Sequence, residues 1–509
     1  MSKRPNILFI MTDQESTSLS RCYGNDVIKT PARDSVAEGG VRFENHYAAS
    51  FPCSPSRGTM MTGRYAHNHG VVTNGIVLDN ELATLGSGLR DAGYDTVWIG
   101  KSHLSGWFEP HSEETCPYLE LMHTDMGYQW KKHPGGAGGE DRVLSGFDKW
   151  VSGWSDYRAY LQTTDLPDEI KQDRWVGGHQ VMQSGPDSEH VHSRLTKDHH
   201  MAHWMADEAV KALGEVKGGE NPFLMVLSFY APHHPVAPPK PYDEMYDIED
   251  MKLPDSFDAP QDLKNAPQQG PYGIKNEVRH SWTKDQCRGY LRRYFGYVSY
   301  LDDQMARVLE ALKANGLEED TLVVFTSDHG DMLCQQGLIY KHTFNGYDTL
   351  MKVPLTMRWP GRISTGSVHD GLTSHVDLMP TLLELGGAEV PEGVDGRSMA
   401  GVLTGEADVA RDEIFVDVCN QGIMTRKGRW KFVLNAALSG GEFVRKIDEL
   451  YDLDADPHEI TNLAREPEHQ ERVEAMRQRI LEWLDEVGYP YADKIREAAA
   501  LPMPVPMPT

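Results

Sequence analysis

With 509 residues, the chain is long enough for one large domain with a smaller companion, or for two or three ordinary domains, and it can bury a core without disulfide staples. Asp and Glu number 76 against 50 Lys and Arg, a formal charge of −26, which argues against a polyanion such as nucleic acid as partner. The six cysteines stand apart, with no CxxC pair and no zinc spacing, and read as reduced, mostly structural thiols.

The first predicted element is a strand, NILFIM, ending at Thr12, Asp13 and Gln14. Its apolar run, 7–11, is too short for a signal-peptide core or a membrane span, so the expectation is a soluble cytoplasmic protein with no membrane partner. The run FPCSPSRGTMMTGR comes next, with Cys53, Pro55 and Arg57 as a CxPxR core and Thr62, Gly63 and Arg64 behind it. Apolar residues at three and four residue steps predict helices over 82–92, 199–213, 290–315 and 378–385. Between them DTVWIGKSH, PFLMVLSFYAPHHP and TLVVFTSDHGD each read as an apolar strand delivering polar residues at its far end. Strands alternating with helices give an α/β class with a mostly parallel sheet covered on both faces.

Residues 105–189 break that rhythm. They are rich in Gly, Pro and His, carry Trp107, Trp130, Trp150, Trp154 and Trp175, and predict an insertion lying over the site. The tryptophans either pack it on its scaffold or face a substrate. The stretch 237–281 reads as a second rim segment. After Gly386 and Gly387 the chain changes character, through RWKFVLN and ELYDLDADPHEITNLA to a charged helix over 467–487. The tail LPMPVPMPT holds too much proline for a helix or sheet interior. It is either disordered or an arm laid on a neighbouring subunit of a homo-oligomer. The expected division is 1–400, 401–495 and a tail over 496–509.

Side chains at the carboxyl ends of parallel strands converge on the crevice where open α/β sheets bind ligands. Asp13, Asp328 and His329 bring hard oxygens and an imidazole to such ends, a donor set suited to a divalent cation. If the substrate is an anion, the acidic exterior demands a local positive field. Lys101 and His103, two apart on an extended segment and so on one face, offer it together with His233 and Lys341.

The CxPxR core with its TGR extension resembles the signature of the type I sulfatases, in the alkaline phosphatase superfamily. The resemblance continues through NILFIMTDQ, GKSH, APHHP, SDHGD, VPLTMRWPG and LYDLDADPHEITNLA. It implies an alkaline-phosphatase-like large mixed sheet flanked by helices, with a smaller C-terminal α+β subdomain of antiparallel sheet and packed helix. It also implies that Cys53 is oxidised to formylglycine (3-oxoalanine) by a formylglycine-generating enzyme acting on CSPSR. Asp13, residue 53, Asp328 and His329 then hold one divalent cation. The implied roles are Arg57 bracing the nucleophile and a metal-side carboxylate, Lys101 and Lys341 binding the nonbridging oxygens, His233 donating a proton and His103 acting as base.

Gln14 and His329 depart from the commonest pattern, which has Asp and Asn there, and with Asn74 they resemble the branch of choline sulfatases and phosphonate monoester hydrolases. Gln14 and Asn74 are thereby placed on the substrate side. Two carboxylates and a nitrogen ligand admit Mn²⁺ as readily as Ca²⁺. The implied reaction is hydrolysis of the sulfate monoester of a small organic alcohol or phenol to alcohol and inorganic sulfate. The alternative is a phosphonate monoester or phosphodiester hydrolase using the same site, but GKSH carries the lysine and histidine of sulfatases. A noncatalytic binding protein with an unmodified thiol would require a missing ligand or cradle residue, and none is missing.

Overall fold

The structure is a computed structural model that describes residues 4–104, 146–152, 155–171, 193–258, 282–341, 346–407, 411–418, 422–439 and 442–504. Its large sheet is built from β1 (Asn6–Asp13), β2 (Val41–Tyr47), β3 (Asp95–Gly100), β4 (Lys149–Ser152), β5 (Phe223–Pro232), β6 (Thr321–Ser327), β7 (Leu355–Arg358) and β8 (Ser367–Ser374). The spatial order is β4-β3-β5-β1-β6-β7-β2-β8. Only β7 runs against the rest, the other pairings being parallel.

β1 shows why the central strands are continuously apolar. Leu8 and Ile10 enter one core while Ile7, Phe9 and Met11 enter the other, so both faces are covered and no polar alternation survives. On the first face lies the helix Lys284–Ala314, whose Leu291, Tyr294, Val298, Leu301, Met305, Val308 and Leu312 form one buried stripe at helical spacing. The second face is covered by Cys53–Thr62, Leu85–Asp91 and Leu378–Leu385. The long helix starts earlier than its apolar pattern predicts because Thr283 and Gln286 close a capping box ahead of it, satisfying the first orphan amides.

Part of the expected insertion belongs to the scaffold. β4 is the edge strand beside β3, and Trp150 stacks on Trp98 with centroids 5.4 Å apart and 12° between planes. For Trp150 the packing role holds. Trp107, Trp130, Trp154 and Trp175 lie outside the described residues, as do 105–145 and 172–189 of that stretch and 259–281 of the second rim.

The C-terminal region has its own antiparallel sheet, of β9 (Glu413–Asp417), β10 (Ile423–Lys427), β11 (Trp430–Leu434) and β14 (Glu449–Asp452) in the order β14-β11-β10-β9. The pair β12 (Ala436–Ser439) and β13 (Glu442–Arg445) adjoins it in sequence. Val473, Ile480, Trp483 and Leu484 of the helix Gln470–Glu486 share a core with Phe415, Phe432 and Leu450 of the sheet. The tail begins later than expected. Residues 496–500 belong to the helix Ala492–Ala500, whose Ile495, Ala498 and Ala499 enter that same core, since proline first interrupts the chain at Pro502. Among the described residues no helix is long and apolar enough to cross a membrane.

Candidate active site

The carboxyl ends of β3, β5, β1 and β6, adjacent in the sheet, deliver the predicted residues to one place. β1 ends at Asp13, and the chain turns at Gln14 with φ 73°. β6 leads into Asp328 and His329, and β5 into His233. β3 ends at Gly100 with φ 99°, where an added Cβ would lie 2.2 Å from the carbonyl oxygen of Ser228. Only glycine fits that close turn, which aims the following Lys101 inward. Across from these ends, the helix Cys53–Thr62 begins at Cys53 itself.

Ligand atoms of Asp13, Cys53, Asp328 and His329 all lie within 4.8 Å of one another, and all four residues are buried. Nδ1 of His329 donates to the carbonyl of Gly330 at 2.9 Å, leaving the Nε2 lone pair toward Cys53 Sγ at 3.1 Å. Two carboxylates, an imidazole lone pair and a modifiable fourth group make a fitting donor set for a hard or borderline divalent cation.

Arg57, wholly buried, ties this group to the scaffold. Its Nε donates to Asp328 Oδ2 at 2.8 Å and Nη2 to Asp13 Oδ2 at 3.1 Å. Nη1 donates to the Lys101 carbonyl at 2.9 Å and to Ser228 Oγ at 2.8 Å. A planar fork can span two carboxylates in this way and a lysine cannot. Burial alone would lower the affinity of Arg57 for its proton, but Asp328 and Asp13 reverse the sign and raise it.

The cationic cradle closes over Cys53. Lys101 is ion-paired with Asp13 Oδ2. Lys341 Nζ lies 2.7 Å from Cys53 Sγ and 3.9 Å from Asp13 Oδ1. Burial and Asp13 push the Cys53 thiol up, yet Lys101, Lys341 and His329 outweigh them and the net shift is downward. Asp13 is held well below the usual carboxylate range despite burial, by Lys101, His233, Lys341 and Arg57. Desolvation, then Lys101, holds His103 well below the ordinary histidine value. Desolvation, then Lys341, does the same for His233, whose Nδ1 is engaged with the carbonyl of His234 at 2.6 Å.

Asn74 accepts from the Ser54 amide at 2.9 Å, holding the first turn of the Cys53 helix, while its Nδ2 is not used in that bond. Gln14 sits beneath the carboxylates. Its amide N–H donates to Asp328 Oδ1 at 3.0 Å and its Nε2 to Asp331 Oδ2 at 2.6 Å. Asp331 also accepts from Tyr290 at 3.1 Å, and Tyr294 donates to the Gln14 carbonyl. Sequence reasoning missed Asp331, Tyr290, Tyr294 and Ser228. Asp331 carried a signal, being the second acid of SDHGD, whereas the tyrosines were indistinguishable from core residues of a helix.

The comparisons agree with this geometry. The sulfatase family profile matches residues 5–388, and that of the N-sulphoglucosamine sulphohydrolase C-terminal region matches residues 339–486. An uncharacterized sulfatase, YidJ, of Escherichia coli is 30% identical over 96% of this chain and 89% of its own length. A choline-sulfatase of Rhizobium meliloti is 28% identical over 91% of this chain and 83% of its own. Among solved structures, the phosphonate monoester hydrolase of Agrobacterium radiobacter superposes with a TM-score of 0.77 at 25% identity, covering 95% of this chain and 96% of that one. With its strand ends, its CxPxR helix and its cationic cradle in one crevice, the chain belongs to the sulfatase family, within the alkaline phosphatase superfamily, and is a sulfuric ester hydrolase.

Proposed function

We propose that the protein hydrolyses the sulfate monoester of a small organic alcohol or phenol, with residue 53 converted from cysteine to formylglycine. One observation carries the reading. Cys53 Sγ stands 3.1 Å from His329 Nε2 and 2.7 Å from Lys341 Nζ, touching the metal-ligand set and the anion cradle at once.

Asp13, residue 53, Asp328 and His329 would hold one divalent cation, Ca²⁺ or Mn²⁺, which supplies Lewis acidity and lowers the pKa of an attacking hydroxyl. Formylglycine supplies a hydrated aldehyde, with one hydroxyl for attack on sulfur and a second that lets sulfate depart by carbon–oxygen cleavage. Arg57 holds Asp13 and Asp328 at the spacing such a cation needs. Lys101 and Lys341 orient the nonbridging oxygens, each worth about 4 kcal/mol against a unit charge at about 4 Å in a partly desolvated site. With Nδ1 engaged by His234, His233 presents Nε2 as the atom that hands a proton to the leaving oxygen. Burial is the larger cause of the low proton affinity of that ring, and the arriving anion raises it by offsetting the repulsion from Lys341. His103, kept neutral, is the base, its backbone carbonyl held by the Ser54 hydroxyl at 2.6 Å.

Residues 53–57 are all buried, so a formylglycine-generating enzyme must read CSPSR before the chain folds around it. Among the described residues, Cys22, Cys53 and Cys334 form no disulfide, which suits a reducing compartment and supports a cytoplasmic site of action on a small ester.

Mass analysis of the peptide holding Cys53, from a host with the modifying enzyme, should show the aldehyde in place of the thiol. Thiol alone would sink the proposal. Steady-state comparison of an aryl sulfate, choline sulfate, a sugar sulfate and a phosphonate monoester then ranks the substrates. A second reading, phosphonate monoester or phosphodiester hydrolysis, is favoured by Gln14, Asn74 and His329. It takes precedence if kcat/KM for the phosphonate ester exceeds that for every sulfate.

A further inference from the structure

Lys341 closes an irregular loop that follows β6, and the backbone of this loop is unusual. Leu333 (φ 48°), Cys334 (66°), Gln336 (56°) and Tyr340 (61°) all occupy the left-handed region, where a Cβ crowds the following carbonyl. Such conformations persist only when the surroundings over-determine them. Part of the restraint is local, since the Met332 amide donates to the Tyr340 carbonyl at 3.1 Å and the Leu333 amide to Asp331 Oδ1 at 2.8 Å.

Ser256 adds to it by accepting from the Gln336 amide at 3.2 Å, and the small antiparallel sheet with the loop behind it grips the chain on both sides of Lys341. Ahead of it, the buried Gln336 side chain donates from Nε2 to the carbonyls of His458 at 2.7 Å and Glu459 at 3.2 Å. Beyond it, the Asp348 amide donates to Glu459 Oε2 at 2.7 Å. Lys431 Nζ donates to Asp348 Oδ1 at 2.7 Å and lies 2.5 Å from Glu459 Oε1. Lys431 is 0% and Glu459 4% exposed, and Glu459 itself has φ 54°. A buried ion pair adds little net stability, because desolvation offsets its attraction. What this one supplies is a fixed place for the two chain segments it joins.

We propose that Gln336, Lys431 and Glu459 are positioning residues through which the C-terminal region sets Lys341 against the sulfate group. The motif DPHEITNLA thereby acts on turnover without touching substrate. The inference rests on the assignment of Lys341 to the anion cradle.

A double-mutant cycle on kcat/KM for para-nitrophenyl sulfate, run on the full-length mature enzyme, tests it. Lys341→Ala is crossed with Lys431→Met/Glu459→Gln, which removes both charges together, and separately with Gln336→Ala, which leaves the ion pair intact. With Lys341 present, each anchor variant should lower kcat/KM by roughly 10- to 100-fold, the scale of an ångström-sized misplacement. Once Lys341 is alanine, it should have no further effect. Equal losses in both backgrounds, or anchor variants with unchanged kcat/KM, overturn the anchoring role. Unchanged activity of Lys341→Ala overturns the cradle assignment instead. If the double replacement fails to fold, as judged by its thermal transition, Gln336→Ala carries the same expectations alone.

Discussion

Replacing Arg57 by lysine keeps the charge and removes the fork. In the structure the guanidinium makes four hydrogen bonds, two to the carboxylates of Asp13 and Asp328 and two to neutral acceptors on β5 and after β3. A single ammonium nitrogen in the same pocket can serve one carboxylate and one neighbouring acceptor. The variant therefore loses one charge-assisted bond, about 1.5–3 kcal/mol, and one neutral bond, about 1 kcal/mol, for a total of about 2.5–4 kcal/mol in the metal-free protein. The rate should fall as well, by a separate route. Asp13 and Asp328 then lack a common brace, and a shift of about 1 Å in a catalytic group costs roughly 100-fold in kcat/KM. Urea unfolding with a chelator present measures the first quantity and steady-state kinetics with added metal the second. An Arg57→Lys enzyme within about 1 kcal/mol of wild type and within a few-fold in kcat/KM would refute the account of the fork.

Acid sensitivity should begin above the carboxylate range. Burial holds His67 at about 4 and His69, His200 and His375 at about 3. Each is neutral when folded and charges near 6.5 when unfolded, so the stability it contributes is full above 6.5 and is lost as pH falls toward the folded value. With about 1.4 kcal/mol per pH unit from each ring, the urea midpoint should drop steeply between pH 6 and pH 4, and a flat midpoint would contradict the burial of these rings. Chelation should abolish turnover, and titrating back Ca²⁺ and Mn²⁺ separately, with kcat as readout, should restore it. Full activity after exhaustive chelation would remove the metal from the proposal. Gly100→Ala should lower the melting temperature and kcat together, because the added methyl meets Ser228 O at a positive φ that alanine resists. Retention of both would mean that the turn before Lys101 is not tightly held.

The residues proposed to carry the chemistry were legible in the chain because their signal is local. An apolar run that stops at Asp13, at Lys101, at His233 or at Asp328 marks a strand end, and parallel strands put such ends on the same edge of the sheet. CSPSR with its TGR extension singled out residue 53 through its resemblance to the sulfatase signature. Only the tertiary structure decided which partner each polar group meets, because partners are set by strand order and register between residues hundreds of positions apart. That is how Arg57 came to join Asp13, Asp328 and Ser228, and how Gln14, expected on the substrate side, came to have its amide nitrogen on Asp331. Trp150, read within an insertion, became scaffold for the same reason, through a parallel pairing with β3. Glu459 reached both flanks of Lys341 only because a second, smaller sheet docks there.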